Sequence, residues 1–320
     1  MSDIAVTYEE DAVHGASKRL RGEHSISYSG EAFRRTGAGR GRAMAYEQDR
    51  GVARSHGDAV RVAGPSRPPV LALAAPCFNE ELTLQVMMPR FVELVDGLVA
   101  SGAAAPGSFV LFVDDGSADG TWGVLEHAAA DRPDRVHCLR LPENRGQQRA
   151  LWTALMEVRG ACDACITLDC DGQDDLAAVP AMLAAHARGA SVVYGVRSSR
   201  SGDGLLKRAS ARLYYRLMNA AHERMVFDHA EFRLMDAAVL DALAGLDPIL
   251  GPGGKGEVFL RGVVPQLGFP SAQVPYERRD RVAGETHYSF AQMVRLALAG
   301  ARSTLRARRA MGRASRHRRS

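Results

Sequence analysis

The chain has 320 residues, of which 46% are hydrophobic and 24% are charged. These values are typical of a soluble globular protein with one large domain or two modest ones. Its five cysteines, an odd number in a long chain, argue against a disulfide framework, so we expect buried, reduced thiols in a reducing compartment. The net charge of +4 is unevenly distributed, because residues 302–320 contain eight arginines and no acidic residue.

The arginine block is typical of a solvated tail. It also suits attraction to a polyanion, either an anionic membrane surface or a nucleic acid. No apolar run approaches the roughly 20 residues that a membrane-spanning helix needs, and acidic residues stand near the N-terminus, where a signal peptide is basic. We therefore expect a protein that does not span a bilayer.

Residues 1–68 are rich in glycine, serine and arginine, show no sustained hydrophobic period, and end in a proline-rich linker, so we predict disorder. From residue 70 onward, short apolar strands alternate with amphipathic helices. This alternation predicts an α/β fold with a mainly parallel sheet that has helices on both faces. The first predicted strands are 70–75, 109–113, 136–141, 164–168 and 191–196.

The pattern changes after Arg197. The later predicted elements are a basic helix at 205–221, a strand at 231–235, a flexible joint at 251–254, a hairpin or strand pair at 263–267 and 272–276, a charged loop at 277–288 and a helix from about 290. These patterns divide the chain into three regions, which are a disordered extension (1–68), a folded domain (69–288) and an amphipathic helix with the arginine tail (289–320).

Each of two predicted strands is followed directly by a pair of aspartates. The first ends on Asp114 and Asp115, and the second on Asp169 and Asp171. Ligands of open parallel sheets bind beyond the carboxyl ends of the strands, and Mg²⁺ or Mn²⁺ prefers carboxylate and phosphate oxygens. The pattern favours a metal-dependent enzyme that handles a nucleotide-sugar. Solvated aspartates at a strand end are the alternative interpretation of Asp169 and Asp171.

Seven short motifs follow one another from about residue 70 to residue 300. They are Pro76-Cys77-Phe78-Asn79-Glu80-Glu81, Val113-Asp114-Asp115-Gly116-Ser117, Asn144-Arg145-Gly146, Asp169-Cys170-Asp171-Gly172-Gln173-Asp174, Gly195-Val196-Arg197, Phe232-Arg233-Leu234-Met235, and Arg278 to Arg281 with Gly284-Glu285-Thr286. In these motifs the chain resembles the family 2 glycosyltransferases of the GT-A fold. Within them it is most similar to the polyprenyl-phosphate sugar transferases.

The resemblance implies a donor site for UDP-glucose or GDP-mannose together with Mg²⁺ or Mn²⁺. Asp169, Asp171 and the Gln173 amide would bind the cation, and Asp171 would also be catalytic. The residues implied for nucleotide-sugar binding are Pro76, Asn79, Glu80, Asp114, Asp115, Asn144, Gly146, Asp169 and Cys170. Structural roles remain open for several of them, such as a helix cap at Asn79, a turn at Asp115 and a helix start at Asn144 and Gly146.

The resemblance also implies a polyprenyl phosphate acceptor. Such a phosphate is largely dianionic at neutral pH, so it needs positive charge more than a general base. The implied acceptor-binding residues are Arg197, Lys207, Arg208, Arg278, Arg281 and His287, and Arg197 and Glu231 complete the candidate catalytic set. Glu231 stands where the family has aspartate, and His287, mostly neutral at pH 7, stands where it has lysine.

We therefore expect an inverting, metal-dependent hexosyltransferase that works as a peripheral protein on the inner face of the cell membrane, with no specific nucleic-acid partner. One alternative is a family 2 transferase with a saccharide or other hydroxyl acceptor, for which Glu231 is the nearest catalytic carboxylate. The other is a degenerate nucleotide-sugar-binding protein that the arginine tail tethers to a membrane or nucleic acid.

Overall fold

A computed structural model describes residues 17–20, 24–29, 67–197, 229–250 and 258–281. The strands in these ranges form a nine-stranded sheet. They are β1 (Ser17–Leu20), β2 (His24–Ser29), β3 (Leu71–Cys77), β4 (Phe109–Asp114), β5 (Val136–Arg140), β6 (Ala164–Thr167), β7 (Val192–Arg197), β8 (His229–Asp236) and β9 (Ser271–Tyr276).

Helices connect most of these strands. The α-helices are α1 (Glu81–Ala100), α2 (Thr121–Asp131), α3 (Gln147–Val158), α4 (Val179–Ala187), α5 (Ala237–Ala244), α6 (Asp247–Leu250) and α7 (Leu260–Val263), and short 3₁₀ helices cover Leu176–Ala178 and Val264–Leu267. Within the described ranges, no helix combines the length and the hydropathy that a bilayer crossing requires.

The strand order is β1-β2-β5-β4-β3-β6-β8-β7-β9. Strands β5, β4, β3 and β6 pair in parallel, β8 is antiparallel to both β6 and β7, and β9 is parallel to β7. All strands except β2 and β8 therefore point in one direction. The predicted α/β fold with a mainly parallel sheet is confirmed.

The core lies on both faces of this sheet, which explains why its central strands are continuous apolar runs. All seven residues of β3 are buried. Leu71 and Leu73 face the layer of α1, α2 and α4, whereas Ala72 and Ala74 face α3 and α5. The two packed layers fix the carboxyl ends of β3, β4 and β6 at one edge of the sheet.

The cysteines lie in this core. All five are free and buried, as the sequence predicted. Burial raises the pKa of the Cys162 thiol to about 12. Since the thiolate is the reactive form of cysteine, this thiol is unreactive at neutral pH.

One predicted element is wrong. Residues 263–267 do not form a strand of a hairpin, because α7 ends at Val263 and a 3₁₀ helix covers Val264–Leu267. Pro265 explains the difference, since proline lacks a backbone donor and is well accommodated in the first turn of a helix. The following strand, β9, pairs in parallel with β7 instead.

Two strands lie within the segment for which the sequence predicted disorder. β1 and β2 pair with each other, and β2 extends the sheet by pairing with β5. The alternation of serine with Ile26 and Tyr28 in β2 has the period of a strand. Most of residues 1–68, the predicted helix 205–221, the joint 251–254 and the segment after 281 lie outside the described residues, so the domain boundaries stay predictions.

Candidate active site

The predicted donor residues lie at the carboxyl edge of the sheet, where the loops after β3 and β4 interlock. The backbone N–H of Asn79 donates to the Ser117 hydroxyl at 2.9 Å, and its side-chain oxygen accepts from the N–H of Ala118 at 2.9 Å. Asn79 has a φ of 53°, in the left-handed region where asparagine is one of the better-tolerated residues. The N–H of Glu80 donates to the Thr121 hydroxyl at 2.8 Å. These bonds hold the two loops together at the carboxyl edge of the sheet.

Asp114 and Asp115 both accept hydrogen bonds from backbone N–H groups of nearby loops. Asp114 is fully buried and accepts from the N–H of Ser117 at 2.9 Å, and its other oxygen lies 3.3 Å from Nε of Arg140. Asp115 accepts from the N–H groups of Arg145 and Gly146, each at 2.8 Å. Burial raises the pKa of Asp115, and these two bonds oppose the rise. The Asp115 carboxylate therefore holds the 144–146 loop in place.

Gly116 shows why this edge needs a glycine. Its φ is +73°, and a Cβ built there would lie 2.5 Å from the backbone carbon of Glu143. A side chain would therefore be strained and would push away the loop that Asp115 holds. The motifs of β4 and of residues 144–146 form one packed unit.

The loop after β6 carries Asp169 and Asp171. Asp169 accepts from the side-chain amide of Gln147, and its N–H donates to the Asp174 carboxylate at 3.2 Å. Burial raises the pKa of Asp169 to about 8, and the neighbouring carboxylates of Asp174, Asp171 and Glu231 add to the rise. Because like charges crowd together here, a divalent cation would stabilise the ionised site.

Asp171 is 4% exposed. One of its oxygens accepts from the N–H of Gln173 at 3.0 Å, and the other lies 3.0 Å from Nη2 of Arg281. The described residues contain no group of three or more His, Cys, Asp or Glu side chains placed to hold a metal ion. Mg²⁺ is commonly held by one or two carboxylates plus substrate phosphates. Asp169 and Asp171 would supply the two carboxylates of such a site, in which substrate phosphates supply the remaining ligands.

Two predicted donor residues have their side chains in the core. Pro76 is part of β3, opposite Val113 of β4. Cys170 is 4% exposed and packs in the core layer that also contains Cys77. Their side chains therefore shape the strand ends, and only the backbone of Cys170 is left to contact a ligand.

Arg197 ends β7 and is linked to the loop after β6. Its Nε lies 3.4 Å from the Tyr276 hydroxyl, which donates to the Asp174 carboxylate at 2.7 Å. This connection brings the predicted acceptor arginine to the same edge as Asp169 and Asp171. Lys207, Arg208 and His287 lie outside the described residues.

The arginines after β9 contact the donor half of the site. Arg281 pairs with Asp171 and lies 4.0 Å from the Glu80 carboxylate. Arg278 donates to the side-chain oxygen of Gln173. Gln173 was expected to bind the cation through that oxygen, and Arg278 and Arg281 were expected to bind the acceptor. In this structure Arg281 pairs with a carboxylate expected to bind the cation, and Arg278 donates to the Gln173 oxygen expected to do the same, so the assigned roles of all three residues stay predictions.

Glu231, a candidate catalytic residue, is 3% exposed and surrounded by donors. Arg233 donates to one carboxylate oxygen, while Arg261 and Gln148 each donate to the other at 2.9 Å. Hydrogen bonds from cations stabilise the ionised carboxylate and weaken it as a base. These contacts make Glu231 the anionic centre of a buried polar network.

Sequence reasoning missed four residues of this site, which are Gln147, Gln148, Arg261 and Tyr276. The two glutamines directly follow the Asn144-Arg145-Gly146 motif, and this position was the one feature of the sequence that could have indicated them as site residues. Arg261 and Tyr276 reach the site from elements more than 25 residues further along the chain than Glu231. A local sequence pattern does not predict contacts between residues so far apart in the chain.

The mainly parallel sheet and the motif loops at its carboxyl edge are those of a glycosyltransferase. The chain belongs to glycosyl transferase family 2, whose sequence model matches residues 73–244.

Among curated relatives, the uncharacterized glycosyltransferase YkoT of Bacillus subtilis is 38% identical over 232 residues, which are 72% of this chain and 66% of the relative. The prophage bactoprenol glucosyl transferase homolog of Escherichia coli is 30% identical over 234 residues, which are 72% of this chain and 70% of the relative. The matched part of this chain thus spans about two thirds of these proteins.

A solved structure, the mannosyltransferase PcManGT of Pyrobaculum calidifontis in complex with GDP-Man and Mn²⁺, is 15% identical with a TM-score of 0.43, covering 79% of this chain and 77% of that one. The family assignment depends on the sequence matches, because so low a TM-score carries no argument about shared chemistry.

Proposed function

We propose that this glycosyltransferase moves a hexose from a nucleotide-sugar to polyprenyl phosphate at a membrane surface, with a divalent cation at the donor diphosphate. The main support is the set of hydrogen bonds at Glu231: both carboxylate oxygens accept from Arg233, Arg261 or Gln148, which disfavours this residue as the base for a hydroxyl acceptor. The names of the bactoprenol glucosyl transferases, 30% identical to this chain, support the same acceptor.

The donor half of the site is built by loops that hold each other. The Asn79 and Ser117 loops are hydrogen-bonded to each other, and Asp115 holds the backbone of Gly146 beside them. Asp169 and Asp171 would hold Mg²⁺ or Mn²⁺, which, when bound, neutralises the charge that develops on the leaving diphosphate. Both carboxylates lie in the loop after β6, which is held by hydrogen bonds between Asp169 and Asp174 and between Asp171 and Gln173.

The acceptor half must attract an anion. A lipid phosphate whose second pKa is about 6 is largely dianionic at neutral pH, so its oxygen is a nucleophile without help from a base. Arg197 supplies positive charge at this edge and is held by Tyr276. Direct attack of the phosphate oxygen on the anomeric carbon, opposite the departing diphosphate, inverts the configuration of that carbon.

The test is a transfer assay with radiolabelled UDP-glucose or GDP-mannose, Mn²⁺ and undecaprenyl phosphate in detergent. We expect butanol-extractable, acid-labile label that depends on both the lipid and the cation. Label that appears only in added saccharide would replace the proposal with a hydroxyl acceptor. Tight donor binding without turnover would show a nucleotide-sugar-binding protein instead.

A further inference from the structure

The exposed large hydrophobic side chains among the described residues all belong to one short stretch. They are Phe78, Leu82 and Val86, with exposed fractions of 45%, 68% and 42%. Leu82 and Val86 are four residues apart in α1 and so lie on one face of the helix. Phe78 lies in the loop just before that helix. The exposed apolar side chains therefore form a strip at one end of α1 and are not scattered over the surface.

The first exposed acidic residue on this face of α1 is Glu93, beyond the apolar end of the helix. Between residues 82 and 90 the exposed positions are Leu82, Gln85, Val86, Pro89 and Arg90, with no acidic residue among them. Glu81 lies to the side, where its carboxylate accepts from the N–H of Gly120 at 3.0 Å. We call Phe78 and these five exposed residues the α1 strip.

The α1 strip lies beside the candidate active site. α1 begins directly after β3, at the carboxyl edge of the sheet, and Arg281 reaches to 4.0 Å from Glu80 just before the helix. Arg278 and Arg279 in the same loop are exposed. Apolar side chains next to a cluster of arginines match the two layers of an anionic lipid interface, since the apolar groups enter the acyl boundary and the arginines meet the headgroups.

We propose that the α1 strip docks on an anionic lipid surface and so turns the carboxyl edge of the sheet toward the membrane. This inference rests on the proposed function, because it supplies the surface that brings a membrane-embedded acceptor to the site. We favour lipid over a protein partner because exposed apolar side chains and arginines lie together at the carboxyl edge of the sheet. None of the strip residues is among the residues assigned to donor or acceptor binding.

The test compares the double variant Leu82→Glu/Val86→Glu with the control Ala130→Glu/Ala187→Glu in the full chain. Both variants add two negative charges at exposed helix positions, but the control positions lie at the ends of α2 and α4, on the opposite edge of the sheet. Binding to phosphatidylglycerol vesicles is measured by co-sedimentation in about 0.5 M NaCl, where the attraction of exposed arginines is strongly screened.

We expect the strip variant to bind vesicles on the order of tenfold more weakly than the control, because two apolar contacts with the membrane are lost. Equal binding by the two variants, or a wild-type protein that ignores vesicles, would overturn the inference. So would a concentration-dependent dimer of the wild type that the strip variant abolishes, since a second copy of the chain would then cover the strip.

Transfer to a water-soluble, short-chain prenyl phosphate separates this inference from the proposed function. We expect both double variants to retain that transfer at the wild-type rate, which also shows that they fold. If the wild type fails to use any prenyl phosphate, in solution or in detergent, the proposed function is wrong whatever the vesicle result. If transfer is intact and the strip variant binds vesicles normally, the docking surface alone is wrong.

Discussion

At the scale of single residues, the site depends on carboxylates whose surroundings differ. Asp114 and Asp115 bind backbone N–H groups, Asp171 faces Arg281, and Glu231 is enclosed by donors. A carboxylate therefore holds a loop at Asp114 and Asp115, is a candidate cation ligand at Asp171, and is a buried counter-ion at Glu231. Neighbouring groups, more than residue type, decide which role each one takes.

The first prediction concerns Asp171. The variant Asp171→Ala should lower the rate of sugar transfer by at least about 10²-fold, because it removes an oxygen proposed to hold the cation that stabilises the leaving diphosphate. Asp131→Ala, an exposed position at the end of α2, is the control and should transfer sugar like the wild type. Transfer by Asp171→Ala within threefold of the wild-type rate would remove the metal assignment.

The second prediction separates structure from catalysis at Glu231. The variant Glu231→Ala should lower the free energy of unfolding by about 3–5 kcal/mol, because it leaves the fully buried Arg233 without its carboxylate. Urea denaturation measures this loss. The double variant Glu231→Met/Arg233→Met should recover much of the stability, since it removes both charges from the core.

A different outcome would indicate that Glu231 acts as a catalytic base. In that case Glu231→Ala would unfold at nearly the wild-type urea concentration and lose transfer to every acceptor. Transfer to a hydroxyl acceptor that falls with decreasing pH in the wild type would support the same conclusion, since protonation removes a carboxylate base.

At the scale of elements, the loop after β9 is fastened to the loop after β6. Three of its arginines contact Asp171, Gln173 and Asp175, and the N–H of Arg279 donates to the backbone oxygen of Gln173 at 3.0 Å. Arg281 thus supplies positive charge at a carboxylate that we propose to bind a divalent cation. A cation at Asp171 must compete with this arginine.

The third prediction follows from that competition. Arg281→Ala should bind Mn²⁺ about fivefold more tightly than the wild type in the absence of donor, since a partly exposed ion pair contributes about 1 kcal/mol. Isothermal titration calorimetry measures the affinity. Arg279→Ala, whose side chain pairs with Asp175, is the matched control and should leave the affinity unchanged. Equal Mn²⁺ affinity of Arg281→Ala and the control would show that Arg281 does not compete with the cation.

At the scale of the whole molecule, positive charge is concentrated at one end of the sequence. Residues 302–320 carry eight arginines, and each arginine near an anionic leaflet contributes about 1 kcal/mol at low salt. The α1 strip supplies apolar contacts, which salt does not screen. The two features therefore predict two separable components of membrane binding.

The fourth prediction tests the charged component. Removal of residues 302–320 should remove most of the part of vesicle binding that falls as salt rises, because eight of the arginines are lost and screening acts on exposed charges. The part that persists in high salt should remain. Co-sedimentation over a series of NaCl concentrations distinguishes the two, and an unchanged salt dependence after the deletion would make the tail irrelevant to membranes.

The sequence predicted the mainly parallel sheet and the position of the main carboxylates because both depend on local pattern. Buried parallel strands are continuous apolar runs, and their carboxyl ends lie at one edge, so Asp115 and Asp169 were expected at the same edge of the sheet. It failed at 263–267, where Pro265 lies in a helical turn, and it did not predict β1 and β2, because the alternation in β2 is short.

Tertiary structure decided which partner each polar side chain takes. Glu231 binds Gln148, which is 83 residues away, and Asp171 meets an arginine that enters from a different strand. These pairings surround the Glu231 carboxylate with donors and bring Arg281 against Asp171. Local periodicity holds no information about them, because they arise when packed layers bring distant loops to the same edge of the sheet.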